Sequence, residues 1–320
     1  MPKVVITDGI QPAGLDVLAQ RSDIEIDYCR DRTSDAELIN RVVNADAILV
    51  GATAITESII DAAKVLKVVS RRGVGYDKID LAALRRRKIP LTIVGTANSS
   101  TVAEHTLGFV LALARKTITY DRATRAGNWR FRESLVAMDL LGKTLLLLGF
   151  GRIGRAVATR ATAFGMHVVA YDPLVRESVF EEFRVAPIKD LLSGLATCDF
   201  LSVHVPLTPE TTGLIGEKEL AAMKPTAYII STARGGVVDE EALLSALQTG
   251  LIQGAGLDVF REEPLPANHP LLGLENVIFS PHAASLTREC AERMDTVAAR
   301  NCLDAIDGKL DPAMIVPNEG

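Results

Sequence analysis

The chain has 320 residues, enough for about two domains, and its 48% hydrophobic content supports large buried cores. Charged residues make up 23% and the formal net charge is −5, the composition of an ordinary soluble protein and a poor one for non-specific nucleic-acid binding. The four cysteines, Cys29, Cys198, Cys290 and Cys302, are scattered and form no C-x-x-C pair, so neither a disulfide framework nor a metal site is expected.

In chain order, residues 3–6 follow Met1-Pro2 directly as the beginning of a strand, so no secretory signal is expected. That strand reads as 4–7, and 12–20 reads as a helix with Pro12 near its start. Residues 24–28 form a second strand, and Ser34 with Glu37 makes a capping box for the helix after it. Strands are expected at 47–50, 66–70 and 91–94, with helices at 56–63 and 77–87. The basic run Arg85-Arg86-Arg87-Lys88 ends the last of these helices and complements its dipole as a solvated face. This alternation implies a parallel sheet with helices on its faces over about the first 98 residues. A helix capped by Ser100 or Thr101 then runs through Ala114. It is apolar almost all round, so it should be buried between domains or subunits. Residues 119–142, which include the single tryptophan, Trp129, read as helix plus irregular chain. No apolar run reaches about 18 residues, so no membrane span is expected, and the combined reading is a cytoplasmic protein.

A second alternating series begins at Lys143, with strands at 144–148, 167–171, 199–203, 227–231, 253–257 and 277–279. Its first strand runs into Gly149-Phe150-Gly151-Arg152-Ile153-Gly154. The first glycine permits a tight turn, the second lets backbone approach a pyrophosphate, and the third lets helix pack close to strand. The N-terminus of the helix offers unpaired N–H groups to the phosphates. Asp172 ends the next strand, where an acid can bond a free ribose 2′-hydroxyl and would repel a 2′-phosphate; no basic residue follows until Arg176. The stretch therefore reads as a dinucleotide site that takes NAD rather than NADP. From Leu286 to about Ile306 the chain is helical again.

Three polar features follow late strands of this series, at the ends that face the ligand crevice in open α/β sheets. They are Arg234, in Ser231-Thr232-Ala233-Arg234-Gly235-Gly236; Glu263, in Asp258-Val259-Phe260-Arg261-Glu262-Glu263-Pro264; and His282, in Ser280-Pro281-His282-Ala283-Ala284-Ser285. Hydride transfer to a ketone needs a proton donor for the oxygen, and histidine is the natural one. A carboxylate on its other ring nitrogen would fix the tautomer, and an arginine can hold a substrate carboxylate at two points. Each residue also has a plainer reading: a loop histidine, a surface acid with Glu262 as its competitor, and an arginine in a salt bridge. His204, at another strand end, is a second acid candidate.

These residues resemble the D-isomer-specific 2-hydroxyacid dehydrogenases, most closely their phosphoglycerate dehydrogenase-like branch. The resemblance covers nearly the whole chain. It rests on the glycine turn, on His204-Val205-Pro206-Leu207-Thr208 with Thr211-Thr212-Gly213, on Ala233-Arg234-Gly235-Gly236-Val237-Val238-Asp239, on Asp258-Val259-Phe260 with Glu262-Glu263-Pro264, and on Pro281-His282. It implies two Rossmann-like, doubly wound parallel-sheet domains with an interdomain active-site cleft: a flavodoxin-like substrate domain of residues 1–98 plus 287–320, and an NAD-binding domain of residues 99–286. It implies Arg234, Glu263 and His282 as the catalytic set, and a homodimer in which the apolar helix ending at Ala114 has an interface role. Substrate contacts would come from the loop Arg71-Arg72-Gly73-Val74-Gly75-Tyr76-Asp77, with the amides of Val74 and Gly75 on the carboxylate, and from Asn98 and Arg234. Cofactor contacts would come from Gly149, Gly151, Arg152, Ile153, Gly154, Asp172, Thr211, Thr232, Ala233, Arg234, Asp258, His282 and Ala284. His204, Val205 and Pro206 would lie beside the nicotinamide half, which makes His204 a cofactor-side residue.

The sequence departs from the phosphoglycerate enzymes in two places. They carry an arginine soon after the third strand, where this chain reads Val50-Gly51-Ala52-Thr53-Ala54, and the chain ends at Gly320 without the regulatory extension of the longer forms. Arg71, Arg130 and Arg132 are the available replacements for the missing charge. Hydroxypyruvate and glyoxylate are therefore as well supported as phosphoglycerate. Two further readings are a formate-type dehydrogenase, whose active histidine pairs with glutamine rather than with an acid such as Glu263, and a non-catalytic NAD-sensing corepressor on the same fold.

Overall fold

The computed structural model describes residues 1–29 and 33–317. The chain divides into two compact units: residues 1–98 with those from Leu286 onward, and Ser99–Ser285. In the first unit, strands β1 (Lys3–Ile6), β2 (Glu25–Tyr28), β3 (Ala47–Val50), β4 (Val68–Arg71) and β5 (Leu91–Thr92) form a parallel sheet in the order β2-β1-β3-β4-β5, the flavodoxin-like arrangement. Helices α1 (Pro12–Ala19), α2 (Asp35–Val42), α3 (Glu57–Ala62) and α4 (Leu81–Arg86) make the crossovers. All four residues of β3 are buried, as a strand covered on both faces requires. Asp8, just past β1, accepts hydrogen bonds from Thr7 Oγ1, from the Gly51 and Thr53 amides and from Thr53 Oγ1, and so fixes the loop after β3.

Three local expectations need correction. Ser34 does cap α2, accepting from the Glu37 amide at 3.3 Å, but Glu37 turns its own carboxylate to Arg41 one turn on, so the reciprocal half of the capping box gives way to an ion pair. Helix α4 begins four residues later than the sequence suggests. Ile79 first makes a parallel bridge to Ile55, and Asp80 then takes the cap position, accepting from the Ala83 amide. The basic run does more than face solvent: Arg87 donates to the Ile60 and Ala63 carbonyls and so satisfies the open C-terminal end of α3.

The second unit opens with α5 (Ser99–Ala114) and α6 (Thr117–Arg125). It continues through β6 (Thr144–Leu148), α7 (Arg152–Ala163), β7 (His167–Tyr171), α8 (Glu177–Phe183), β8 (Ala186–Pro187), α9 (Leu191–Thr197) and β9 (Phe200–Val203). It ends with α10 (Glu217–Ala222), β10 (Tyr228–Ser231), α11 (Glu240–Gln248), β11 (Gly254–Leu257) and β12 (Val277–Phe279). Its seven strands are all parallel, in the order β12-β11-β10-β9-β6-β7-β8, so strand order reverses between β6 and β9. That is the doubly wound arrangement, in which the crevice lies beyond the carboxyl ends of the strands at the reversal. Ser100 and Thr101 lie inside α5 rather than capping it; Ser100 Oγ donates to Glu104 one turn on. The helix packs on α7, β10 and β11 of its own unit.

The last helix, α12 (Arg288–Ile306), is capped by Thr287 Oγ1 on the Cys290 amide and returns to the first unit. Cys290, Met294, Ala298, Ala299 and Cys302 on one face join Val4, Ile6, Leu18, Leu49 and Val68 in a single core. Asp295 on the same helix is fully buried; it accepts from the Gln11 amide at 2.7 Å and is ion-paired with Arg72. Among the described residues no helix is long and apolar enough to cross a membrane.

Candidate active site

The strand β6 carries four leucines, all buried, straight into the glycine turn. Gly149 has φ +99°, and a Cβ there would lie 2.9 Å from the His204 main chain, so the turn after β6 and the end of β9 meet too closely for any side chain. A Cβ on Gly154 would run into the Gly149 carbonyl, whereas one on Gly151 would meet nothing within 4 Å. The middle glycine thus opens onto space, and α7 begins beside it with no side chain capping its N-terminus. An open cradle of main-chain amides at a helix start fits a pyrophosphate. Asp172 fastens this cradle to β7: Oδ2 accepts from the Phe150 amide at 2.8 Å and Oδ1 from the Leu174 amide at 3.0 Å. Each carboxylate oxygen keeps a second lone pair, so the residue can also receive a ribose hydroxyl. The residues present therefore fit an NAD molecule.

Around the strand reversal, His204 continues β9, its amide donating to the Leu148 carbonyl. The residue keeps some exposed surface, but its Nε2 meets the buried hydroxyl of Ser202 at 2.8 Å and its Nδ1 is buried with no partner. Burial pushes this imidazole down to about 3, so at neutral pH it is neutral and has no imidazolium proton to deliver. Val205 and Pro206 follow it. Thr211 directs its hydroxyl into its own turn, donating to the Pro206 carbonyl at 2.6 Å. Thr232 Oγ1, buried after β10, meets Thr106 Oγ1 of α5 at 3.0 Å, and Ala233 comes next.

The three polar features also converge within this unit. Arg234 follows β10, and its guanidinium donates to the Ala233 carbonyl at 2.7 Å. Gly235 lies so close to the Phe260–Arg261 peptide that a Cβ would collide with it, which draws the loops after β10 and β11 together. Glu263 Oε1 accepts from the Phe260 amide at 3.0 Å, and Oε2 lies 2.7 Å from His282 Nδ1. Of the two neighbouring acids, Glu263 is the one that meets the His282 ring. Partial burial pushes the Glu263 carboxyl up. The hydrogen bonds from His282 and Phe260, with the positive charges of His282 and Arg234, outweigh that and hold it below the usual glutamate range.

His282 itself has φ +53°, a left-handed conformation costly for a side-chain-bearing residue. Asp258 holds it there. Its carbonyl accepts from the His282 amide at 2.8 Å, its Oδ1 from Ala283 at 2.7 Å, and its Oδ2 from Ala284 at 2.9 Å. Only 1% of the Asp258 side chain is exposed, so these donors are its compensation for burial.

The expected substrate residues other than Arg234 lie in the first unit. Arg71 curls over its own loop, donating to the Gly75 and Arg72 carbonyls at 2.9 and 2.8 Å, and so shapes the turn that presents Val74 and Gly75. Asn98 is buried with its Oδ1 unpaired. Two residues near the site escaped the reading of the sequence: Ser280, which hydrogen-bonds Asp258, and His105, which meets Ser280 at 2.9 Å. The available signal was a histidine and a threonine, His105 and Thr106, side by side just before the apolar run that fills the rest of the helix.

Residues 107–284 match the model of the D-isomer specific 2-hydroxyacid dehydrogenase, NAD binding domain. The chain is 41% identical over 319 residues to the glyoxylate reductase of Thermofilum pendens, covering 98% of this chain and 94% of that protein. It is 37% identical to the D-3-phosphoglycerate dehydrogenase of Methanocaldococcus jannaschii over 99% of its own length, but spans only 60% of that longer protein. Among solved structures, the TT0316 protein from Thermus thermophilus superposes with a TM-score of 0.89 at 38% identity, over 98% of this chain and 100% of the other.

Proposed function

The chain belongs to the D-isomer specific 2-hydroxyacid dehydrogenases, and from that premise we propose which residues carry its reaction and which substrate it takes. It is an NAD-dependent oxidoreductase that interconverts a 2-hydroxy acid and its 2-keto acid. NAD, held by the glycine cradle and Asp172, supplies the hydride chemistry when bound. In our reading Arg234 grips the substrate carboxylate with its planar fork. His282 moves the proton: Nδ1 faces Glu263, which leaves Nε2 to protonate the ketone oxygen or to take the proton from the hydroxyl in reverse. Glu263, held ionised, fixes the ring and stabilises the imidazolium. The single observation that supports this most strongly is the 2.7 Å His282 Nδ1···Glu263 Oε2 pair at the ends of β11 and β12.

We assign a small unphosphorylated 2-keto acid, glyoxylate or hydroxypyruvate, ahead of the phosphorylated substrate. The 41% identity to a glyoxylate reductase along nearly the full length of both chains supports it, as does the absence of a base from Val50-Gly51-Ala52-Thr53-Ala54. An NADH-oxidation panel over glyoxylate, hydroxypyruvate, pyruvate, branched 2-keto acids and phosphohydroxypyruvate tests it. The first two should have the highest kcat/KM, and a preference for phosphohydroxypyruvate overturns the assignment. His282→Ala should cost at least about 10²-fold in turnover while NADH still binds. Near-wild-type rates on every 2-keto acid would show that the acid/base lies elsewhere.

The same reading makes the enzyme a cytoplasmic homodimer. Helix α6 buries none of its residues, and the chain after it exposes Trp129 and Leu135 at 68% and 83%, an apolar surface of the kind a second copy covers. Four free, buried thiols suit a reducing compartment. Sedimentation should give the mass of two chains, and cell fractionation should find the activity in the cytosol.

A further inference from the structure

We propose that His105 is a positioning residue for the turn that carries the acid/base histidine, acting through Ser280 and Asp258. The proposal rests on the assignment of His282 above. His105 lies in the first half of α5 with 28% of its side chain exposed. Its ring stands edge-on to Phe109, with centroids 4.7 Å apart, and Phe109 in turn packs where Gly256 of β11 leaves no room for a side chain. The ring is therefore held from behind. In front, its Nε2 is 2.9 Å from Ser280 Oγ and 3.8 Å from Asp258 Oδ1, and the Ser280 hydroxyl hydrogen-bonds the same Asp258 oxygen.

Donor accounting gives this chain a direction. The Asp258 carboxylate accepts the Ala283 and Ala284 amides, so it is the acceptor for Ser280 as well. Serine has one O–H; given to Asp258, it leaves Ser280 Oγ to accept from His105, which fixes the His105 tautomer as Nε2–H. The order is His105 Nε2–H to Ser280 Oγ–H to Asp258 Oδ1, and Asp258 then grips three successive amides from His282 to Ala284. A turn with φ +53° at its central histidine stays in place only while its surroundings over-determine it. His105 is the far anchor of that restraint. Thr106, the next residue, reaches Thr232 at the end of β10, so one turn of α5 braces two strand ends of the candidate site.

The test compares three substitutions in the full-length enzyme, with His282→Ala as control. His105→Leu removes the donor at similar bulk and should lower kcat for 2-keto acid reduction about tenfold, with KM for NADH and the thermal midpoint little changed. His105→Gln puts an amide N–H at the place of Nε2 and should recover most of the loss. Ser280→Ala should also slow turnover about tenfold, and the double variant His105→Leu/Ser280→Ala should be no slower than the worse single one, because both interrupt the same chain. Wild-type kcat in His105→Leu, no recovery in His105→Gln, or multiplying effects in the double variant overturns the proposal. If His282→Ala is inactive while His105→Leu is normal, only the positioning role fails. If His282→Ala is itself active, the acid/base assignment fails first.

Discussion

At the scale of single residues, the site is a set of charges matched to donors. Glu263 is the case with a pH consequence. Its carboxyl is held below the ordinary 4.5, so the stability its pairing adds is fully present above that value and is lost as pH falls through the lower native one. Glu263→Gln should therefore melt below wild type at neutral pH, and the two melting curves should converge in acid. Arg234→Lys keeps the charge but not the fork, and it should raise KM for the keto acid about tenfold or more while the NADH affinity holds. Asp172 is bonded to two main-chain amides, so Asp172→Asn should weaken NAD binding and narrow its margin over NADP; side-by-side kinetics with both cofactors read this. Arg234, Glu263, His282 and the glycines were legible in the sequence because each chemistry demands a residue type at a strand end. His105 was not, because its partner Ser280 lies 175 residues away and only the fold joins them.

At the scale of elements, what could be read depended on how far a strand or helix is specified by its own residues. Strand β3 and, after Thr144, strand β6 are unbroken apolar runs, and the sequence alone gives both. Strand β8 is two residues long, one of them proline, and exists only because the edge of β7 is there to pair with. The late start of α4 has the same origin, since a bridge from Ile79 to Ile55 outcompetes an extra helical turn. Caps are where local chemistry counts most. Thr287→Ala leaves the Cys290 amide of α12 without its acceptor and should cost about 1 kcal/mol in denaturant unfolding. Gly154→Ala should be worse than a helix propensity scale suggests, because the new methyl meets the Gly149 carbonyl; loss of NADH binding would accompany the loss of stability.

At the scale of the whole molecule, each unit has a core of its own, but the first is assembled from both ends of the chain. Met294 of α12 is buried among residues of β1, β3 and β4, so Met294→Ala should destabilise the first unit by about 2–5 kcal/mol. The change should appear in its hydrogen exchange and leave the strands of the second unit protected. The resemblance carried this division of the chain, whereas length alone gave no more than a count of about two domains. The return of α12 also sets a timetable. The first 98 residues leave the ribosome without the helix that completes their core, and the 187 residues of Ser99–Ser285 must be made first, roughly 10–40 s at common elongation rates. The unit begun first is finished last, so nascent chains whose residue 285 has just emerged from the ribosome should carry a protease-resistant second unit and a first unit that is still cut.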